Sequence, residues 1–197
     1  MLSLRNVALV RGSRVLVSDL NLDARSGELI ALRGPSGSGK TTILRAIAGL
    51  DPFDGGTIDI GDARLEARRT PDRATFHRLR RNVGFVFQFH CLFEHMSALE
   101  NVCLAPIHVY GRAPLAAAQS ARDLLSQFGV ELRADARPRE LSGGEAQRVA
   151  IARAGAGSSG VADGRADGVA RPAKSGRAGR AASTARGERQ DVAGDEP

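Results

Sequence analysis

Gly34-Pro35-Ser36-Gly37-Ser38-Gly39-Lys40-Thr41 fits the spacing G-x-x-x-x-G-K-[ST], and Lys40 is the sole lysine before residue 174 in a chain whose other early cations are arginines. A compact ammonium fits between phosphate oxygens inside a tight glycine loop, where a broad planar guanidinium does not. These residue types point to phosphate chemistry. Gly34, Gly37 and Gly39 let backbone N–H groups converge on phosphates at a helix start, Lys40 reaches the outer phosphates, and the Thr41 hydroxyl can ligate Mg²⁺. Pro35, Ser36, Ser38 and Thr42 complete the phosphate-contacting stretch. To hold that loop the chain needs a strand before it and a helix after it. Residues 29–33 are apolar enough for a buried strand, and residues 42–49 have helical spacing with a glycine stop. Strand, loop and helix together are the α/β context the motif requires.

About a hundred residues downstream, Leu141-Ser142-Gly143-Gly144-Glu145 opens a second helical run that ends near Arg153. Ser142 is an expected N-cap, Glu145 falls in the first turn, and Ser142, Gly143 and Gly144 form an anion nest with no phosphate of their own to hold. With both motifs on one chain, it resembles the ATP-binding subunit of an ABC transporter, whose signature reads LSGG followed by a helix. That resemblance implies a P-loop NTPase-type α/β fold. It also implies ATP and Mg²⁺ as ligands and a head-to-tail dimer, homomeric or heteromeric, in which each signature closes over the γ-phosphate on the partner's loop.

Between the motifs, residues 83–88 form a β-rich run ending in Gln88. On the resemblance, Gln88 is the Q-loop glutamine, approaching Mg²⁺ and the attacking water alongside Lys40 and Thr41, and the loop after it touches transmembrane permease subunits. The pieces Glu100-Asn101-Val102 and Leu104-Ala105-Pro106 most resemble polar amino-acid importers, while lipoprotein-release and cell-division ABC ATPases share much of the pattern. The implied location is the cytoplasmic face of the inner or plasma membrane, held through those permease subunits. Near the N-terminus the family has an aromatic before Gly12 to stack on adenine, and this chain has Arg11. A guanidinium can stack on a base plane, and Arg11 can equally be a solvated strand-end residue.

Composition divides the chain. Residues 1–154 carry the strand and helix runs of a packed domain, including a turn at 51–56 and a polar-faced helix over 112–129. Residues 155–197 hold nine Gly and ten Ala but no Leu, Ile, Met, Phe or Tyr. Such a segment buries too little apolar surface to offset roughly 1–2 kcal/mol of backbone entropy per residue, so it reads as a disordered tail on an incomplete nucleotide-binding domain. In intact relatives the next element is a hydrophobic strand ending in the Walker B Asp-Glu, then a D-loop and later a switch histidine. His77, His90, His95 and His108 all precede the signature, and Asp195-Glu196 follows no strand-like run. Hydrolysis therefore lacks its water-polarising carboxylate, which leaves a hydrolysis-deficient nucleotide-binding remnant as the alternative function.

The tail becomes intelligible one base out of register. Codons exist for Val161–Pro172 that, read after skipping the first base, spell Leu-Leu-Met-Asp-Glu-Pro-Thr-Gly-Ser-Leu-Asp, a Walker B strand and D-loop in family order. This points to a frameshift between about Ala154 and Val161.

The formal charge is +6, made of 21 basic minus 16 acidic residues in 1–154 and seven minus six in the tail. No basic cluster interleaved with aromatics accompanies it, so nucleic acid is not an expected partner, and Arg68-Arg69 and Arg80-Arg81 read as exposed helix positions. Cys91 and Cys103 lack metal-site spacing. No apolar run reaches the ~18 residues of a membrane span.

Overall fold

A computed structural model describes residues 1–158 and the backbone of two further strands at 160–163 and 169–172. Strand β1 (Leu2–Arg11) runs antiparallel to β2 (Arg14–Ala24) on one side and to β4 (Gly55–Ile60) on the other, and β5 (Ala63–Glu66) completes a sheet in the order β2-β1-β4-β5. Leu4, Val7 and Leu9 of β1 are all fully buried. Even and odd positions of a strand can share a face only where the pleat slips by one residue. That slip lies between Leu4 and Val7, where Asn6 takes a left-handed φ of 51°. The Asn6 N–H donates to Asn21 Oδ1 at 2.9 Å and its side-chain amide to Asp19 Oδ1 at 2.7 Å, so side chains replace the ladder bonds lost in the bulge.

The bulge is matched across the ladder by Gly56, at φ 82°, where a Cβ would overlap the Arg5 and Asn6 carbonyls. Gly56→Ala is therefore expected to destabilise the fold by roughly 2–4 kcal/mol through overlap and backbone strain. Urea unfolding checks this: the midpoint should fall with an unchanged slope, and an unaltered midpoint would contradict the packing of the bulge.

The second sheet has the order β3-β8-β7-β6, with β3 (Ile30–Ala31) and β6 (Gly84–Val86) at its edges. Strand β7 (Gly160–Asp163) is parallel to β6 and antiparallel to β8 (Val169–Pro172), which is antiparallel to β3. Two reversals make β3 and β6 parallel to each other. The loops that follow them, starting after Ala31 and after Val86, leave the same edge of the sheet, the carboxyl edge where open α/β sheets place ligands.

Helices α1 (Lys40–Ile47) and α2 (Arg73–Asn82) pack with the first sheet through Ile43, Ile47 and Leu79. A second core joins α3 (Ala98–His108), α4 (Pro114–Gln127) and α5 (Gly143–Gly155) through Val102, Ala121, Leu125 and Val149.

Several expectations are adjusted by this arrangement. The strand read over 29–33 is Ile30–Ala31 alone, and α1 starts two residues ahead of the expected 42 because the loop glycine Gly39 is its N-cap. The helix read over 112–129 is Pro114–Gln127, with Pro114 opening it. Arg80 and Arg81 lie exposed at the end of α2 as expected, whereas Arg68 and Arg69 occupy a turn after β5. The disordered tail was expected from residue 155, and within it the backbone of β7 and β8 pairs with β6 and β3. Ladder hydrogen bonds belong to the backbone, so a segment poor in large side chains can still add a strand beside β6. The rest of the expected tail lies outside the described residues.

Candidate nucleotide-binding site

The loop 34–42 is shaped by its glycines. Gly39, at φ 88°, is buried against β2, and a Cβ there would press on Leu16 Cβ at 3.2 Å and Val17 Cγ2 at 3.3 Å. Only glycine satisfies both the left-handed turn and that close approach. Ile43 N–H donates to Gly39 O at 2.9 Å, so the amides of Lys40, Thr41 and Thr42 head the helix without intrahelical partners. The first turn of α1 contains no acidic residue.

Lys40 Nζ reaches back across the loop, donating to Gly34 O and Pro35 O at 2.8 Å each. It has no carboxylate partner among the ion pairs of the described residues. An unneutralised ammonium, free helix-start amides and the positive end of a helix dipole converge on one loop, a donor set fitted to phosphate oxygens. Thr41 is exposed at the helix start, with its hydroxyl in no hydrogen bond among the described residues, which fits it to a hard cation beside a phosphate.

Gln88 follows β6 and is exposed. Its strand and the loop strand β3 sit at opposite edges of the second sheet with β8 and β7 between them, a spacing of about 14 Å at ~4.8 Å per strand. Both loops nevertheless emerge at the same carboxyl edge. Past Gln88 the chain is bent hard: His90 and Cys91 take φ of 61° and 49°, conformations that cost of order 1–3 kcal/mol each for non-glycine residues.

Two groups hold the loop that contains this bend, and sequence reasoning assigned neither of them this task. Asn101 of α3 is fully buried; its Oδ1 accepts the Phe93 N–H at 2.8 Å and its Nδ2 donates to Ser97 O, Phe93 O and Met96 O at 3.0 to 3.3 Å. Arg153, near the end of α5, donates to Cys91 O at 2.7 Å and His90 O at 3.2 Å. The flanking Phe89 and Phe93 are 84% and 44% exposed, an apolar surface beside Gln88.

The signature forms the N-terminus of α5 as read. Ser142 Oγ accepts the Glu145 N–H at 3.3 Å, and Glu145 Oε2 accepts the Ser142 N–H at 2.7 Å, a reciprocal capping box. Arg133 Nε lies 3.2 Å from Glu145 Oε1, fixing the cap from the side. A Cβ on Gly143 would meet nothing within 4 Å, so that face of the nest is open to an approaching group. No hydrogen bond or ion pair among the described residues links 34–42 with 142–144, and α1 and α5 belong to different cores. A cavity of about 400 Å³ between α3, α4 and the end of α5, lined in part by Arg112, Asp123 and Ser158, stands apart from both loops.

Arg11 is the exposed last residue of β1, as a solvated strand-end residue would be. Its guanidinium lies 3.9 Å from Asp54 and 4.0 Å from Asp51, and donates to Pro52 O at 3.3 Å. Asp51 is also held by Arg45 at 2.9 Å. Cys91 is exposed and Cys103 buried, with burial pushing the Cys103 thiol upward.

Hydrogen bonds to ionised carboxylates set the acid behaviour. The Arg45 bond lowers Asp51, the Thr75 N–H lowers the cap Asp72, and the N–H groups of the caps Ser97 and Ser142 lower Glu100 and Glu145. A depressed carboxylate stabilises the fold above its unfolded value of about 4 and stops doing so as pH falls through its lower folded value. The thermal midpoint should therefore be nearly level between about pH 5.5 and 7 and drop below about pH 4. A midpoint that rises toward pH 3 would contradict these caps.

The family model for the ABC transporter matches residues 17–162. The chain is 39% identical to the L-cystine transport system ATP-binding protein TcyN of Escherichia coli, over 78% of this chain and 62% of that protein. It is 38% identical to the lipoprotein-releasing system ATP-binding protein LolD of Bacteroides thetaiotaomicron, over 78% and 69%. An ATP-binding cassette solved as a dimer in a post-hydrolysis state with ADP and Pi superposes with a TM-score of 0.68 and 35% identity, covering 80% of this chain and 70% of that one. The chain thus spans about three fifths of the length of the cystine-transport relative (62%). With the family model matching well over half of its residues, the chain belongs to the ABC transporter ATP-binding family.

Proposed function

We propose that this chain is the ATP-binding subunit of an importer for polar amino acids, binding MgATP at loop 34–42. The carrying observation is Lys40, an ammonium without a carboxylate partner, folded over the Gly34 and Pro35 carbonyls at the head of α1. Lys40 and the loop amides hold the β- and γ-phosphates. Thr41 and Gln88 hold Mg²⁺, which supplies charge neutralisation at the transferring phosphoryl group when bound. Arg11 takes the adenine position on the family resemblance, its charge already shared with Asp51 and Asp54.

The open Gly143 face and the separation of the signature from the chain's own loop support a nest that serves a second subunit's nucleotide, hence a head-to-tail dimer, homomeric or heteromeric. Exposed Phe89 and Phe93 beside Gln88 support docking to a permease subunit at the cytoplasmic membrane face. Among the described residues no helix is long and apolar enough to cross a membrane.

A second reading rests on the segment after the signature, which does not spell the Walker B Asp-Glu: a nucleotide-binding remnant that turns over ATP far below an intact relative. A frameshift after about Ala154 reconciles the two readings. Complementation separates them. A gene shifted by one base after codon 154 should restore growth on cystine to bacteria lacking their cystine-transport ATP-binding subunit, and the chain as it stands should not. Rescue confined to bacteria lacking the lipoprotein-releasing ATP-binding subunit would overturn the importer assignment.

A further inference from the structure

Arg153 has no carboxylate partner among the ion pairs of the described residues. Its guanidinium is spent on the loop after Gln88. One nitrogen donates to Cys91 O at 2.7 Å, another to His90 O at 3.2 Å, and the group sits 5.7 Å from the Phe93 ring centroid. A rigid planar fork holds two successive carbonyls in a fixed relative geometry, whereas a lysine ammonium presents rotatable donors on a flexible stem. The two carbonyls belong to the two left-handed residues of the bend. Burial pulls this guanidinium below its usual range, as befits a cation turned inward.

Asn101 holds the far half of the same loop at Phe93, Met96 and Ser97. Between these two anchors the path of residues 90–97 is set, and Gln88 sits just before it. The other end of α5 is Ser142 and the open glycine nest. Arg153 stands eleven residues along a continuous helix from Ser142, at the far end of a stiff rod about 16 Å long.

We propose that Arg153 is a positioning residue for Gln88: it clamps the loop through the His90 and Cys91 carbonyls and makes the loop follow α5, so that a displacement of the signature end of α5 is carried to Gln88. The proposal deepens the nucleotide-site reading and rests on it for the roles of Gln88 and Ser142, but the clamp itself exists without nucleotide.

Amide hydrogen exchange on the full chain, without nucleotide, tests the clamp. Arg153→Ala should accelerate exchange of amides 89–93 at least tenfold while amides of α1 and α4 keep their wild-type rates. Arg153→Lys, with a compact ammonium on a flexible stem instead of a fixed fork, should fall between the two. Wild-type exchange of the loop in Arg153→Ala overturns the proposal, and so does an equal acceleration of α1 and α4, which would mark Arg153 as a general fold contact. If the alanine variant does not fold, the lysine variant decides: a faster loop on an intact fold supports the clamp, and a wild-type loop overturns it. Failure of the nucleotide reading would appear separately, as absence of MgATP binding by the wild-type chain.

Discussion

Steady-state phosphate release should rise at least about 10³-fold when the chain is recoded one base out of register after Ala154. On the proposed reading, Lys40, Thr41 and Gln88 bind the outer phosphates and a cation, while the segment after the signature does not spell the carboxylates that the resemblance sets beside the γ-phosphate. A transferring phosphoryl group is stabilised by preorganised charge and by a positioned water. Each such element contributes factors of about 10²–10³, equivalent to several kcal/mol of barrier. On the frameshift proposal the other frame would supply Asp, Glu and a D-loop together from position 161 onward, where β7 already runs parallel to β6 and ends at Asp163 in register with Val86. A strand in that place delivers its last residues to the carboxyl edge shared by the phosphate loop and Gln88. Equal and robust turnover by both chains would show that the segment after the signature is no obstacle, and the frameshift account would fall.

The second large effect is at Lys40. Lys40→Ala should weaken MgATP binding about a hundredfold, since charge-assisted hydrogen bonds contribute roughly 1.5–3 kcal/mol each and the ammonium makes more than one. Lys40→Arg should also bind poorly, at least about tenfold weaker, because a loop closed tightly enough for Nζ to reach Gly34 O and Pro35 O at 2.8 Å leaves little room for a guanidinium. Thermal unfolding run beside the titrations separates lost affinity from a loop that has simply loosened. Unchanged affinity in both variants would remove Lys40 from the phosphate site.

The conformations of the glycine loop and of the Ser142 cap were legible because they are set by backbone. Glycine spacing, a lysine and a serine cap specify where N–H groups point, and Gly39 and Ser142 take the conformations their types imply. The fold class was legible for the same reason, from a strand, a glycine turn and a helix in succession. What escaped depends on contacts between distant residues. The Asn6 bulge is held by Asp19 and Asn21 of the neighbouring strand, and no periodicity announces it. Asn101 resembled an importer residue by its place in the chain, yet its structural task is a buried amide closing on Phe93, Met96 and Ser97. Arg153 acts across more than sixty positions of sequence. Arg11 was weighed as a stacking or a solvated residue, and the turn it touches at Asp51 and Asp54 lies some forty residues away. Strands β7 and β8 escaped for a different reason: side-chain composition argues against a core, and strand pairing draws on main-chain groups that every residue except proline possesses in full.

The central claim is that loop 34–42 holds the phosphates of ATP with Mg²⁺. Equilibrium titration of the full chain with MgATP tests it most directly. Saturable binding of one nucleotide per chain is predicted, weakened by chelating Mg²⁺, competed by pyrophosphate, and reduced about a hundredfold by Lys40→Ala. A chain that binds no MgATP, or one whose binding is indifferent to Lys40, would contradict it.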